Sequence, residues 1–375
     1  MKIDFALMEL GVIMLTLAVL GRIATRFGVP TIPVFLLVGL FFGNGGVISV
    51  QEAQPFIEIG ASLGVIFLLF MLGLEYTPQE LKHSMKTNVF AGVLDGVANV
   101  IPGVVMGLVL GWGALGASVL GGITYVSSSG IIAKQLTDLG RLGNRETPLI
   151  LSILVIEDLV MAVFLPVLAV ALSGGSLLTG VISGLISASV VLAVLTFSPK
   201  LGGTLARILG GKSQEVVLLM LLGLATLVSG FAEFIHISYA IGAFLLGITI
   251  SGQVAETARE LLQPLRASFA ALFFVYFGFE VVPSSLWNVA LPAVVLAVAS
   301  AATKLFSGWI AAKKSGLSSK GSWRAAVTLI PRGELSIVLA GIGVASGLNN
   351  ELSSLVVAYV LILAIGGSLA IRFLK

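Results

Sequence analysis

Long apolar stretches, joined by short polar connections, make up almost the whole chain, and only 10% of its residues are charged. A soluble domain carries about 25% charged residues. Because a bilayer offers no water to backbone N–H and C=O groups, helices of about 20 apolar residues are the usual way to span it. The pattern predicts an all-α polytopic membrane protein with thirteen transmembrane helices, at residues 6–27, 31–48, 55–75, 86–111, 113–136, 148–173, 177–199, 213–235, 238–253, 266–282, 287–312, 320–346 and 352–372.

Eighteen of the 21 lysines and arginines fall into alternate connections between these spans. The other connections, near positions 50, 112, 175, 236, 285 and 349, contain none. Positive residues favour the cytoplasmic side, so we predict an integral protein of the cell (inner) membrane with its N-terminus outside and its C-terminus cytoplasmic. The remaining three residues are Lys2 at the terminus, and Lys304 and Arg332 inside predicted spans.

The pattern G-x-E-x-x-P-x-x-L ends two of the spans, at Gly73–Leu81 and at Gly278–Leu286. The charge distribution places the first copy at the cytoplasmic face and the second at the outer face. Two related halves of opposite orientation form the inverted repeat of secondary transporters. Spans one to six are therefore predicted to pair with spans eight to thirteen as two inverted six-helix repeats, with the seventh span as a linker.

The same offset of 205 residues aligns the fifth span with the twelfth. The fifth contains Thr124 and the run Ser127–Gly130 at mid-depth, and the twelfth contains Pro331 and Gly333. These residues disfavour a continuous helix, so helices 5 and 12 are predicted to be discontinuous and to cross, with free carbonyls and half-helix ends at the membrane midplane. The alternative is a pair of packing kinks, because Gly and Ser are common in membrane helices.

Glu157 and Asp158 interrupt the sixth span near its middle. If that helix begins at Thr147, Asp158 lies roughly 16 Å along it, about half the hydrocarbon thickness. An uncompensated charge there costs at least about 2.5 kcal/mol, and the matching position of the thirteenth span is apolar. An ion or proton site explains the pair better than two structural acids do.

Further polar residues are predicted at similar depths, namely Asp95, Thr124, Ser127, Ser128, Ser129, Lys304, Arg332 and Glu334. Buried charges persist when they are paired. The simplest pairing gives Glu157 to Lys304. Arg332 is then left for Glu334 or for a carbonyl freed by the broken helices.

Asp158 is the acid that this pairing leaves able to exchange a proton for a monovalent cation, with oxygen ligands supplied by Thr124–Ser128. Asp95 is interpreted as a helix-packing hydrogen-bonding residue ahead of a direct role with the ion. The chain has no cysteine and only two histidines, which lie far apart, so neither a cofactor nor a resident metal centre is expected. Basic clusters with interleaved aromatic residues are also missing, so we expect no nucleic-acid partner.

Five stretches of the chain are specific in combination. They are LFMLGLEYTPQEL (69–81), TYVSSSGIIAKQL (124–136), ILVIEDLVMAVFLPVLA (153–169), ISYAIGAFLLGI (237–248) and PRGELSIVLAGI (331–342). Together they resemble the monovalent cation:proton antiporter-2 family, closest to its Kef-type potassium/proton branch, and the resemblance extends over nearly the whole chain.

The resemblance implies a homodimer in lipid, whose core domains move by an elevator-like step. It also implies Asp158 as the ion and proton carrier, Glu157 in the preceding motif position, and Lys304 as the cation facing it. The implied domains are dimerisation helices at 1–85 and 213–286, a core at 86–175 and 287–375, and a linker helix at 176–212.

Two features depart from the family pattern. Kef-type members usually have Gln-Asp in the sixth helix and electrogenic sodium exchangers have Asp-Asp, whereas this chain has Glu157-Asp158. If Lys304 permanently neutralises Glu157, exchange is electroneutral; if Glu157 is released and protonated, exchange is electrogenic. The chain also stops at Lys375 without a nucleotide-binding domain, so we expect either a separate cytoplasmic regulatory subunit or a domain missing after that residue.

The sequence therefore favours a secondary-active antiporter that exchanges K+ (or Na+) for H+. A cation channel with the broken helices as its filter is one alternative. Another is a proton- or sodium-coupled symporter of an organic anion that binds to Arg332 and Lys304. An enzyme is not expected, because no nucleophile–base arrangement or set of metal ligands is present.

Overall fold

A computed structural model describes residues 3–43, 46–48, 50, 52–75, 78–172, 189, 213–234, 239–250, 253–349 and 351–374. Every regular element within these ranges is a helix. The predicted seventh span, 177–199, falls outside them apart from residue 189. The helices, numbered in chain order, are α1 (Ile3–Phe27), α2 (Thr31–Phe42), α3 (Gln54–Glu75), α4 (Pro78–Val109), α5 (Gly113–Tyr125), α6 (Ser129–Asp138), α7 (Thr147–Leu172), α8 (Gln214–Phe234), α9 (Tyr239–Thr249), α10 (Gln253–Phe279), α11 (Ser285–Asn288), α12 (Ala290–Lys314), α13 (Ser319–Thr328), α14 (Glu334–Ala345) and α15 (Glu351–Phe373).

The described part of the chain contains nine helical segments that are long and apolar enough to cross a membrane. Helices α2 and α14 are apolar but shorter. The prediction of an all-helical membrane protein is therefore confirmed. The count of thirteen spans, their orientation and the inverted repeat stay predictions.

Helix α10 begins well before the tenth span that hydropathy places at 266–282. Its first half is charged on one side, while Ala255, Ala258 and Leu262 are buried on the other. Spacings of three and four residues put these three side chains on one helical face. Arg259 donates hydrogen bonds to the carbonyl oxygen of Leu74. The connection predicted on the cytoplasmic side is thus the amphipathic first half of α10. Mean hydropathy over a window does not detect such a helix.

The chain divides into two compact units. One comprises Met1–Gln54, Ser84–Asp158 and Phe274–Lys375, and the other comprises Pro55–His83 and Leu159–Phe273. All the polar residues that the sequence places at mid-membrane depth belong to the first unit. The division into dimerisation, core and linker segments stays a prediction.

Two apolar helices of the first unit are interrupted, and the interruptions meet. Helix α5 ends at Tyr125 and α6 begins at Ser129, while α13 ends before the segment 329–333 and α14 begins after it. The backbone N–H of Ser128 donates to Pro331 O at 2.9 Å. Proline has no N–H to continue a helix, and serine hydroxyls compete for backbone groups, which explains why the helices stop here. We call residues 126–128 and 329–333 the helix crossing.

Paired glycines bring backbones close together in each unit. In the first unit, a Cβ added to Gly278 would lie 2.5 Å from Leu36 O and 2.9 Å from Gly39 Cα. In the second unit, a Cβ added to Gly73 would lie 2.9 Å from Gly247 Cα. Small residues allow such close packing between membrane helices, where no hydrophobic driving force helps association.

Replacing Gly278 with valine should destabilise the fold, because the side chain would force α2 and α10 apart. Overpacking of a tight contact costs about 1–3 kcal/mol. We expect the midpoint of thermal unfolding in detergent to fall by several degrees. Size-exclusion chromatography after heating measures the fraction of protein that stays folded. Gly366→Val is the matched control, since an added Cβ at Gly366 would meet nothing within 4 Å. Equal midpoints for the two variants would contradict the close approach of these helices.

Candidate ion-binding site

Arg332 lies in the helix crossing and caps the ends of two half-helices. Its Nη1 donates to Leu329 O at 3.1 Å and to Ile330 O at 2.9 Å, and its Nη2 donates to Thr124 O at 2.9 Å. Its Nε donates to the hydroxyl of Tyr359 at 3.2 Å. These carbonyls belong to the C-terminal ends of α13 and α5, which carry partial negative charge and lack helical partners. One buried guanidinium therefore satisfies both ends.

Glu334 has the opposite charge and lies at the opposite helix ends. It is the first residue of α14, and its Oε1 accepts the N–H of Gly130 at 3.3 Å in the first turn of α6. Its Oε2 accepts a hydrogen bond from Ser128 Oγ at 2.7 Å. Helix N-termini favour negative charge. Arg332 and Glu334 thus compensate the partial charges of the four helix ends at the crossing. Of the two partners predicted for Arg332, Glu334 or a freed carbonyl, its hydrogen bonds go to carbonyls, and one more goes to Tyr359.

Lys304 of α12 is shared between two carboxylates. Its Nζ lies 2.6 Å from Asp95 Oδ2 and 2.6 Å from Glu157 Oε1, and all three side chains are at most 1% exposed. The ring of Tyr125 lies beneath the ammonium group, with its centroid 5.7 Å from Nζ. Removing one partner from a buried ion pair costs about 3–5 kcal/mol. A lysine with two carboxylate partners differs from the single Glu157–Lys304 pair predicted from sequence.

Asp95 connects this ion pair to a polar network between α4 and α12. Its Oδ1 accepts hydrogen bonds from Asn99 Nδ2 at 3.0 Å and from Ser307 Oγ at 3.0 Å. The Asn99 side chain is held in turn by Thr303 Oγ1, which donates to its Oδ1 at 2.8 Å. Asn99, Thr303 and Ser307 are additions to the predicted set. The available signal was helical spacing, since residues three and four apart share a face. Asn99 is four residues from Asp95, and Ser307 is three from Lys304 and four from Thr303.

Glu157 and Asp158 bind to different serines beside the crossing. Glu157 accepts hydrogen bonds from the backbone N–H and, at 3.1 Å, from the hydroxyl of Ser127. Asp158 Oδ2 accepts the hydroxyl of Ser129 at 3.1 Å, and its side chain is only 2% exposed. Ser129 is absent from the predicted ligands. Glu157 therefore bridges the crossing to Lys304, and Asp158 lies next to it on α7.

Thr124 joins two helices of the first unit. Its hydroxyl donates to Asn99 O at 2.8 Å and accepts the N–H of Gly103 at 3.1 Å, which joins α5 to α4. Its carbonyl oxygen accepts from Arg332. The hydroxyls that donate to Glu157 and to Asp158 are those of Ser127 and Ser129 respectively.

Six charged side chains are described in this part of the first unit, namely Asp95, Glu157, Asp158 and Glu334, and Lys304 and Arg332. All of them are buried except Glu334, which is half-buried. Charged groups away from water are costly unless they are paired or neutralised. Within the described residues, no group of three His, Asp or Glu side chains is arranged to hold a metal ion.

Replacing Arg332 with glutamine should destabilise the protein strongly, because buried carbonyls at two helix ends would lose their donor. An unsatisfied buried acceptor costs about 1–3 kcal/mol. Arg372→Gln is the matched control, since Arg372 is exposed and its Nη1 donates to Phe27 O at 3.2 Å, where water can replace the lost donor. We expect the unfolding midpoint to fall far more for Arg332→Gln. Equal losses would contradict the capping role.

The fold resembles that of a solved transporter. The structure of the sodium proton antiporter MjNhaP1 from Methanocaldococcus jannaschii at pH 8 matches with a TM-score of 0.72 and 18% sequence identity, covering 100% of this chain and 96% of that one. At this identity the likeness concerns the fold alone.

Sequence comparison gives closer relatives. The chain is 34% identical to the K(+)/H(+) antiporter subunit KhtU of Bacillus subtilis, over 98% of this chain and 93% of that protein. It is 30% identical to the ammonium/H(+) antiporter subunit AmhT of Alkalihalophilus pseudofirmus, over 91% of this chain and 87% of that protein. The expectation of a transporter, as opposed to an enzyme, is confirmed.

The profile of the family described as "Sodium/hydrogen exchanger, transmembrane" matches residues 12–375. This match covers nearly the whole chain and agrees with the resemblance drawn from the sequence motifs. The protein therefore belongs to the transmembrane sodium/hydrogen exchanger family.

Proposed function

We propose that the protein is a secondary-active antiporter that exchanges a monovalent cation for protons by elevator-type alternating access, with cation and proton competing for Asp158. One observation carries the proposal: a buried aspartate, Asp158, accepts a hydrogen bond from Ser129 beside two broken, crossing helices. Broken helices at the membrane midplane are where secondary transporters bind ions.

Competition at one carboxylate is sufficient to couple the two fluxes. A proton and an alkali cation each neutralise the Asp158 carboxylate, and they exclude one another because they use the same oxygen lone pairs. An ionised, empty carboxylate is unfavourable in a low-dielectric environment. The site therefore crosses the membrane only when it carries one of the two, which produces exchange.

Oxygen atoms near Asp158 suit a hard monovalent cation. The serine hydroxyls of the crossing and backbone carbonyls are the ligand types that such cations prefer. Ser129 contacts Asp158, Ser127 contacts Glu157 and Ser128 contacts Glu334. We assign Asp158 and the Ser127–Ser129 hydroxyls as ligands, and Lys304, Arg332 and Glu334 as charge-compensating residues.

K+ is the favoured cargo, and Na+ is the second choice. The 34% identical relative is a K+/H+ antiporter subunit, and the 30% identical relative is an ammonium/H+ antiporter subunit. NH4+ is therefore a third ion to test alongside K+ and Na+.

The finer architecture belongs to the same proposal. It comprises thirteen spans, an outside N-terminus and a cytoplasmic C-terminus in the inner membrane, two inverted repeats and a homodimer. The helix breaks at 126–128 and 329–333 support the repeat, because they lie about 205 residues apart, as the sequence motifs do. The paired glycine contacts of the two units support it as well. A separate cytoplasmic regulatory subunit is proposed from the sequence only.

The two alternatives from sequence have less support. An organic-anion symporter needs Arg332 and Lys304 as substrate ligands, yet their recorded contacts are with carbonyls, a tyrosine and two carboxylates. A channel needs the broken helices to line a continuous filter, whereas the two segments of the crossing bind each other directly through the backbone hydrogen bond from Ser128 to Pro331.

The decisive variant is Asp158→Asn, which keeps the size of the side chain but removes the exchangeable charge. Purified protein in proteoliposomes should collapse an imposed pH gradient on addition of K+ or Na+. We expect Asp158→Asn to lose this activity by at least about 100-fold, the range expected when an essential ionisable group is removed. Glu351→Gln, at the exposed first residue of α15, is the control and should keep full activity.

The same assay ranks the ions and separates the alternatives. K+, Na+, Li+, NH4+ and choline are compared at equal concentration, with choline as the inactive reference. Cation-dependent proton flux that persists in Asp158→Asn would show that Asp158 is not the carrier. Cation flux without proton movement in the wild type would indicate a channel.

A further inference from the structure

The two carboxylates that share Lys304 have different surroundings. Both lie 2.6 Å from its Nζ, so distance alone does not distinguish them. Asp95 also accepts hydrogen bonds from Asn99 of its own helix and from Ser307, one turn along α12 from the lysine. All its recorded partners therefore lie on two unbroken stretches of α4 and α12.

Glu157 is attached to a different part of the first unit. Its other recorded partner is Ser127, in the extended segment between α5 and α6. It also precedes Asp158 directly in α7, so a cation bound at Asp158 attracts it by Coulomb force. Of the two acids, Glu157 is the one that borders the proposed cation site.

We propose that Asp95 is a positioning residue, the resident counter-ion that keeps Lys304 charged and in place so that Glu157 can turn from the lysine toward the transported cation. The inference rests on the proposed function, because it concerns how the cation at Asp158 gains its second carboxylate. Asp95 itself does not contact the cation.

The need for a second acid follows from the cost of an unpaired buried charge. Lys304 is 0% exposed, so losing its only carboxylate partner would strongly destabilise the folded protein. With Asp95 in place, the lysine keeps one ion pair at 2.6 Å when Glu157 leaves. Without the charge of Asp95, Glu157 is the remaining carboxylate partner of Lys304. The lysine then holds Glu157 away from the cation.

Asp95→Asn tests this role, with K+ as the probe. K+ affinity is measured from the rise in unfolding midpoint of purified protein with K+ concentration, because a ligand stabilises the state that binds it. We expect the dissociation constant to rise at least about tenfold, equivalent to about 1.4 kcal/mol. In proteoliposomes KM should rise by a similar factor, while kcat at saturating K+ changes by less than about threefold.

Ser300→Ala is the matched control, because Ser300 is buried on the same helix as Lys304 and carries no charge. It should leave the K+ dissociation constant within about twofold of wild type. An Asp95→Asn protein with wild-type affinity and KM would overturn the inference, as would a loss confined to kcat or to the amount of folded protein.

A structure of the wild-type protein in high K+ tests the same inference without any substitution. Lys304 Nζ should stay within hydrogen-bonding distance of Asp95, while Glu157 moves away from the lysine toward the ion. A lysine that follows Glu157, or an intact Glu157–Lys304 contact with K+ bound, would overturn the inference. Absence of cation-dependent proton flux in the wild type would instead contradict the proposed function itself.

Discussion

The helix crossing depends on Arg332, which supplies positive charge where two half-helices end inside the membrane. Free carbonyls at a helix C-terminus are costly without water, and here one guanidinium satisfies those of both α5 and α13. Glu334 does the converse at the beginning of α6 and α14. Because these charges neutralise the helix ends, the crossing can leave regular structure at 126–128 and 329–333 and bring serine hydroxyls to the acids of α7.

A second interaction places negative charge beside this crossing. Lys304 holds Asp95 and Glu157 together, and Ser127 links Glu157 to the extended segment. Asp158 therefore lies next to a buried cluster of charged groups, where the proposed exchange places the proton or the cation. The elements of the proposed exchange follow from electrostatics: buried carboxylates, one shared lysine and a capped pair of broken helices.

Sequence reasoning located the acids and both helix breaks because the relevant signals are local. An acid within an apolar run, or a proline within a helix, stands out without knowledge of its neighbours. The sharing of Lys304 was not predictable in this way, since Asp95 lies 209 positions away along the chain. The Thr124 hydroxyl was assigned as a ligand by depth alone, and its orientation toward α4 emerges only from packing. The amphipathic beginning of α10 escaped detection because its polar face lowers mean hydropathy.

The central claim is that proton and cation compete for one carboxylate, and the pH dependence of the apparent K+ affinity tests it most directly. Transport currents or fluxes of the wild-type protein are measured over a range of K+ concentrations at several pH values. Competition predicts that KM for K+ rises as the pH falls, by up to tenfold per pH unit, while the maximal rate at saturating K+ stays constant. A KM independent of pH, with the maximal rate falling instead, would contradict the account.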